Sequence, residues 1–273
     1  MKPTKLINKN IENFYATSSE ADRLKFGLGP LEHERCKELI LRYVPKQKST
    51  LIDVGGGPGI YSEWLAKLGH EVHLIEPVPK HIEQATKRSV KLKNPFKVIL
   101  GEARHLDLPD AIADVIILHG PLYHLQLRQD RIKAIAEALR VVKPGGYVLG
   151  FAINRPASTL AGLLNGFIYE KDLFEMCKEE LTTGLHHPPA NMPGILAEAY
   201  FHEPEELQHE FETAGIASSE IIAVEGCVWM DKNYFENKSS PDKKKLMTEL
   251  LWITEKQKSL LSFSPHMMIA AKK

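Results

Sequence analysis

Four glycines fall within five positions, Gly55, Gly56, Gly57 and Gly59, and an acid, Asp53, stands two residues ahead of the first. Such a run after the apolar stretch Leu51-Ile52 is a ligand cradle, because glycine lets the main chain approach a ligand with no Cβ in the way. The spacing excludes two ligand classes. A dinucleotide fingerprint counted from Gly55 needs its third glycine at position 60, which is Ile60, and no Lys-Ser or Lys-Thr follows to make a P-loop. Asp53 would repel a pyrophosphate and favour positive charge. A βα turn with no ligand is the competing reading, yet four clustered glycines cost main-chain entropy that a plain turn would not need.

S-adenosylmethionine meets these terms, since it carries a cationic sulfonium and an ammonium and no phosphate. The surrounding elements must then present the cradle at the end of a strand. Thr50 to Val54 reads as a buried strand. After the turn Ile60, Trp64, Leu65 and Leu68 recur at helical spacing, with Gly69 placed to end the helix. Glu71–Ile75, Phe96–Leu100, Ala113–Leu118 and Tyr147–Ile153 read as strands two to five, and Arg131–Val142 as a helix before the turn Lys143-Pro144-Gly145-Gly146. Strands alternating with helices indicate a parallel sheet covered on both faces. Ile221–Val224 is expected as strand six, and a helix near 244–261 precedes a last strand, His266–Ala271. With no helix after Ser262, that last strand is expected antiparallel at the sheet edge.

The domain organisation follows. Residues 1–48 form a helical N-terminal cap, with one apolar face over 10–44 (Leu31, Leu39, Ile40, Tyr43, Val44) and Glu32, Glu34, Lys37 and Glu38 facing away. Residues 49–154 form the first part of the core, 155–200 a lid insertion with a helix over Ile168–Leu181, and 201–273 complete the core. Insertions after a strand end commonly cover substrates, since ligands of open α/β sheets bind at the carboxyl ends of the strands.

Lys+Arg 35 against Asp+Glu 35 leaves no net charge, so nothing favours nucleic acid or a membrane surface. No apolar run reaches a membrane span. The start, Met1-Lys2-Pro3-Thr4-Lys5, lacks a signal core. Three scattered cysteines, Cys36, Cys177 and Cys227, suggest reduced thiols in the cytoplasm rather than disulfides or a zinc site.

The chain resembles class I S-adenosylmethionine-dependent methyltransferases, which have a Rossmann-like seven-stranded α/β sheet with the last strand antiparallel. Asp53-Val54-Gly55-Gly56-Gly57-Pro58-Gly59 matches the family's first motif, and Lys143-Pro144-Gly145-Gly146 its turn before strand five. Four further stretches are similar to one bacterial subgroup, of the type 11/25 kind, defined by sequence and structure rather than substrate. They are Tyr15 with Glu20-Ala21-Asp22-Arg23-Leu24, Gly29-Pro30-Leu31-Glu32, Gly120-Pro121-Leu122-Tyr123-His124-Leu125 and Ala199 to Leu207.

The resemblance implies a cofactor set. Gly55, Gly56, Gly57 and Gly59 would approach the amino-acid end of S-adenosylmethionine, with Asp53 near its ammonium directly or through water. Glu76, 23 residues after Asp53 and followed by Pro77, would accept both ribose hydroxyls. Glu102 and Ala103 would hold the adenine. His119 and Gly120 would sit beside the methyl donor, and Tyr15 and Arg23 would close over the cofactor, Arg23 against its carboxylate.

Methyl transfer is an in-line displacement, so alignment supplies much of the rate, and a general base is needed only when the acceptor arrives protonated. His119, Tyr123, His124, His186, His187 and His202 are the candidates, with His124 and His202 foremost as catalytic groups and Tyr123, His124, His186 and His202 as acceptor-site residues. The pair His186-His187 carries no metal reading, because adjacent histidines point apart and no acid or cysteine lies within a few positions. After strand four, His119-Gly120-Pro121-Leu122 is unlike the Asn- or Asp-Pro-Pro-aromatic run of amino-directed DNA methyltransferases, and no cysteine follows a proline as cytosine C5 enzymes need. A small-molecule acceptor leads, with a protein side chain as an alternative. A silent cofactor-binding sensor or partner subunit, and a nicotinamide oxidoreductase, are the competing classes. The oligomeric state is not legible.

Overall fold

Val115 to Leu118 are all apolar, and Leu51-Ile52 with Val54 breaks only at Asp53; every one of these apolar side chains is at most 1% exposed. Runs of this kind suit the middle of a sheet covered on both faces. They form β1 (Thr50–Val54) and β4 (Ala113–His119), paired in parallel. The computed structural model describes residues 7–192 and 194–273. The expectation about residues 1–5 lies outside them, as do the first six residues of the expected cap.

Three helices precede the sheet: α1 (Lys9–Thr17), α2 (Glu20–Arg23) and α3 (Gly29–Leu41). Asn8 caps α1 by accepting from the Asn10 N–H at 2.9 Å. Between α2 and α3 the chain turns so tightly that a Cβ on Gly29 would lie 2.3 Å from the Arg23 carbonyl oxygen, so the cap is three helices. Glu32, expected to face away, is only 4% exposed. Arg23 explains the difference by donating to both of its oxygens, at 2.6 and 2.9 Å.

The sheet continues through α4 (Ile60–Lys67), β2 (Glu71–Glu76), α5 (Pro79–Ser89), β3 (Lys97–Leu100), β4, α6 (Pro121–His124), α7 (Arg128–Val141) and β5 (Val142–Ile153). The expected turn at Lys143–Gly146 is a bulge within β5, where the partner of Ala113 is Val142 but that of Val115 is Tyr147. The insertion holds α8 (Ala157–Asn165), a short 3-10 turn, α9 (Lys171–Thr183) and a two-stranded hairpin, β6 (Leu185–His186) with β7 (Ala199–Tyr200). The expected helix over 168–181 is α9. Then come α10 (Pro204–Thr213), opened by a reciprocal Glu203–Glu206 capping box, β8 (Ser219–Ala223), α11 (Tyr234–Asn237), α12 (Pro241–Thr254), α13 (Lys258–Leu261) and β9 (His266–Lys272).

The strand order is β3-β2-β1-β4-β5-β9-β8. β9 is antiparallel to both neighbours, pairing Tyr147–Ile153 on one side and Ser219–Ala223 on the other. It therefore lies inside the sheet, which corrects the expected edge position. Met267 to Ala271 are apolar and buried and need cover on both edges, whereas the more polar Ser-Glu start of β8 tolerates the border. One core layer packs Ala134, Ile135, Leu207 and Phe211 of α7 and α10 on the sheet; the opposite layer packs Leu39, Ile40, Leu65 and Ala85 of α3, α4 and α5.

Candidate active site

A cleft opens at the carboxyl ends of β1, β2 and β4. Ile11 and Tyr15 of α1, Glu20 and Arg23 of α2, and Tyr123 and His124 of α6 wall it as well. The four glycines of the turn after β1 serve four purposes. Gly55 sits at φ 76°, and a Cβ there would come 2.7 Å from the Pro121 ring. At Gly56 a Cβ would meet the Asp53 carboxylate at 2.5 Å. Gly57, at φ 54°, faces open space, with only His81 Nδ1 at 3.9 Å. Gly59 is not part of the wall; at φ 82° it starts α4, and a Cβ would press on Phe96 and Ala85.

Asp53 lies beneath this turn and is 0% exposed. One carboxylate oxygen accepts from Ser62 Oγ at 2.6 Å, and the other has no partner. Burial raises its pKa to about 6 against the pull of Ser62. The carboxylate therefore braces the turn from behind instead of facing the cleft.

Glu76 faces the cleft and is itself held in place. The Gly57 N–H donates to Oε2 at 3.0 Å, the Val78 N–H to Oε1 at 3.0 Å, and His81 Nδ1 lies 3.2 Å from Oε1. Pro77, Ala103 and Gly120 also line the wall. Glu102 lines it while accepting from the Arg104 N–H at 2.7 Å, and Arg104 reaches on to Asp130 at 3.0 Å. His119 stacks on Phe151, with ring centroids 4.4 Å apart, and burial drives its pKa down to about 4. Arg23 is engaged three ways, by both oxygens of Glu32 and by Glu20 at 2.7 Å.

Tyr15 Oη and His124 Nε2 lie 2.7 Å apart in this wall. Burial holds His124 down at about 4 despite the opposing main chain at Glu198, and burial raises Tyr15 and Tyr123 well above the usual phenol range. At neutral pH the pair is an uncharged phenol and an uncharged imidazole.

Two expected acceptor-site residues are not brought to the cleft. His186 is buried in the insertion, 2.5 Å from Glu180 and 3.0 Å from the Leu196 carbonyl oxygen, with its ring stacked on Phe201. His202 is 0% exposed and 3.3 Å from Glu210, whose carboxylate also takes the Arg131 guanidinium at 2.7 to 3.1 Å. Both are structural groups, and His187 is exposed beside Glu179.

Sequence reasoning missed His81, Tyr61, Arg104 and Asp130, all in the wall. His81 had a signal, since it falls on the first turn of the helix after Glu76; Arg104 and Asp130 meet only through the fold. A buried cluster also went unseen. Glu225 and His266 pair at 2.6 Å, and ligand-type atoms of Glu32, Glu225 and His266 lie within 4.8 Å of one another. Their carboxylate oxygens are already taken by donors from Arg23, Ser264 and His266, so the cluster is a closed chain of ion pairs.

A single antiparallel strand between β5 and β8, a glycine turn after β1 and acids after β2 and β3 define a class of protein. The fold is that of the class I S-adenosylmethionine-dependent methyltransferases, and residues 52–150 match the family model described as a methyltransferase domain. It is 32% identical over 148 residues to an uncharacterised methyltransferase of Schizosaccharomyces pombe, across 51% of this chain and 49% of that one, so it spans about half the length of that relative. To a ubiquinone biosynthesis O-methyltransferase of Nitrosomonas europaea it is 29% identical, across 65% of this chain and 67% of that one. Among solved structures, a SAM-dependent methyltransferase of Methanosarcina mazei superposes with a TM-score of 0.57 at 18% identity, covering 86% of this chain and 96% of that one. The family's cofactor fits the cleft. Gly57 leaves open the space a Cβ would take, and four acids of the wall (Glu20, Glu76, Glu102, Asp130) against two arginines favour a cation over a phosphate. No helix among the described residues is long and apolar enough to cross a membrane.

Proposed function

We propose that the chain catalyses methyl transfer from S-adenosylmethionine to a small-molecule acceptor, most simply to a hydroxyl oxygen. The observation that carries this reading is the Tyr15–His124 pair in the wall of a cofactor-sized cleft. When bound, S-adenosylmethionine supplies an electrophilic methyl group on a sulfonium. In this reading Gly55 and Gly57 admit its amino-acid end, and Arg23 faces its carboxylate with the N–H groups left free by Glu20 and Glu32. Glu76 accepts from the ribose hydroxyls, and Glu102 with the main chain at Ala103 holds the adenine. His119 and Gly120 flank the reacting end.

Tyr15 and His124 manage the proton. With His124 neutral, Nε2 accepts from the Tyr15 hydroxyl, whose oxygen keeps a lone pair for the acceptor hydroxyl. The acceptor proton passes to Tyr15 Oη as the Tyr15 proton passes to Nε2, leaving a neutral phenol and a charged imidazole. The acidic excess of the wall works against acceptors bearing phosphate or carboxylate. A nucleic-acid acceptor has no basic surface argument behind it, and the free cysteines accord with a cytoplasmic site of action.

The test is turnover of S-adenosylmethionine to S-adenosylhomocysteine over a panel of phenols, alcohols, amines and their carboxylated or phosphorylated analogues. Activity on an uncharged hydroxyl acceptor supports the reading. Tight cofactor binding with no turnover on any member would favour a sensor or partner subunit instead.

A further inference from the structure

We propose that α1 is a strap across the cleft which lifts for cofactor exchange, and that Lys80 is the positioning residue that latches it. The inference rests on the cofactor reading above, but the observations concern how α1 is held. Lys80, at the start of α5, sends its ammonium to three main-chain carbonyls at the carboxyl end of α1: Tyr15 at 3.1 Å, Ala16 at 2.9 Å and Ser18 at 2.8 Å. Helix ends leave such carbonyls without intrahelical partners and carry partial negative charge, so an ammonium there is doubly favoured.

The other end of α1 is tied to the insertion. Asn8 and Asn10 donate to the two carboxylate oxygens of Glu198 at 3.1 and 2.7 Å. Between the ties, Ile11 is 1% exposed and packs with Val78 and Ala197, and Tyr15 meets His124. Ile11 and Tyr15 are themselves cleft wall, whereas Lys80 and Glu198 are not. On this proposal a ligand that fills the cleft leaves past Ile11 and Tyr15, so its exchange is paced by the movement of this helix. The two exposed asparagine contacts are the weaker tie, and the triple ammonium contact is the stronger. Lys80 lies four residues after Glu76, so the latch is set on the helix that follows the strand ending in the proposed ribose acid. It acts through α1 by fixing where the Tyr15 ring stands.

The experiment is the dissociation rate of S-adenosylhomocysteine, followed by stopped-flow fluorescence, from the wild-type chain and from Lys80→Met, Lys80→Arg and Glu198→Ala. Loss of hydrogen bonds from a charged donor predicts release about tenfold faster in Lys80→Met. A smaller acceleration is expected in Glu198→Ala, and near-wild-type release in Lys80→Arg. Placed on Tyr15→Ala, where no ring remains to position, Lys80→Met should add little further. An unchanged rate in Lys80→Met overturns the latch, as does a full additional acceleration on the Tyr15→Ala background. Should Lys80→Met fail to fold, Glu198→Ala decides, since an unchanged rate there overturns the strap. A wild-type chain that binds no S-adenosylhomocysteine would instead overturn the cofactor reading, and the latch with it.

Discussion

Tyr15 and His124, 109 residues apart in the chain, meet at 2.7 Å in the wall of the cleft. Neither side chain is a strong base alone, but together they carry the acceptor proton on to Nε2 and leave the Tyr15 phenol neutral beside the cofactor. Tyr15→Phe and His124→Gln should each lower kcat by about 10²-fold if the acceptor is a hydroxyl, with the cofactor KM nearly unchanged. The double variant should be little worse than either single one, because the two act as a unit. The imidazole must be neutral to accept, and burial keeps its pKa at about 4. Activity should therefore be flat from neutral pH downwards and fall only as pH drops through about 4. A pH–rate profile with its acid limb near the ordinary histidine value would remove His124 from the proton path.

Gly57 and Gly59 look alike in sequence and differ in purpose, which makes them separable. An alanine at 57 meets open cleft, so its cost to folding is only the left-handed main chain, about 1 kcal/mol, while its methyl intrudes where the cofactor should lie. An alanine at 59 bears the same main-chain cost and also presses on Phe96 at 3.1 Å and Ala85 at 3.2 Å, for a total of about 2–3 kcal/mol. Thermal melts and calorimetric titration with S-adenosylhomocysteine should show Gly57→Ala folded but binding at least about tenfold more weakly. Gly59→Ala should be less stable with affinity largely kept. Equal affinity in wild type and Gly57→Ala would mean that the cofactor does not pass over this turn.

The parts of the fold that were legible are those where one local pattern suffices. The glycine turn, the apolar runs of β1 and β4 and the acids closing β2 and β3 each announce themselves within a few residues. The place of β9 did not, because burial on both edges is a property of its partners rather than of its own sequence. Asp53 was legible as important but not as buried: an acid before a glycine turn reads the same whether it faces the ligand or braces the turn. His202 and His186 misled for a related reason. A histidine matched to Glu210 and Arg131, or to Glu180, is fixed by residues 8 or 6 positions away and beyond, and the sequence shows only its type. The Lys80 contacts with α1 and the Glu32–Glu225–His266 cluster are long-range and carry no local signal at all.

That last cluster predicts how stability depends on pH. Burial alone would lower the pKa of His266, but Glu225 and Glu32 outweigh it, against opposition from Arg23, and raise it from 6.5 to about 9. A histidine whose folded pKa is raised contributes stability that is fully present below pH 6.5 and is lost as pH rises through about 9. The difference corresponds to roughly 3 kcal/mol, an order-of-magnitude figure. At the acid end Glu32, held at about 2 by His266 and Arg23 against its burial, contributes stability that is fully present above pH 4.5 and is lost as pH falls through about 2. The wild-type melting temperature should therefore decline between pH 6.5 and 9, whereas His266→Gln, lower at pH 6.5, should be much flatter across that window. Parallel curves for the two proteins would show that the imidazolium does not hold the cap to the end of β9, and that Glu32 is secured by Arg23 alone.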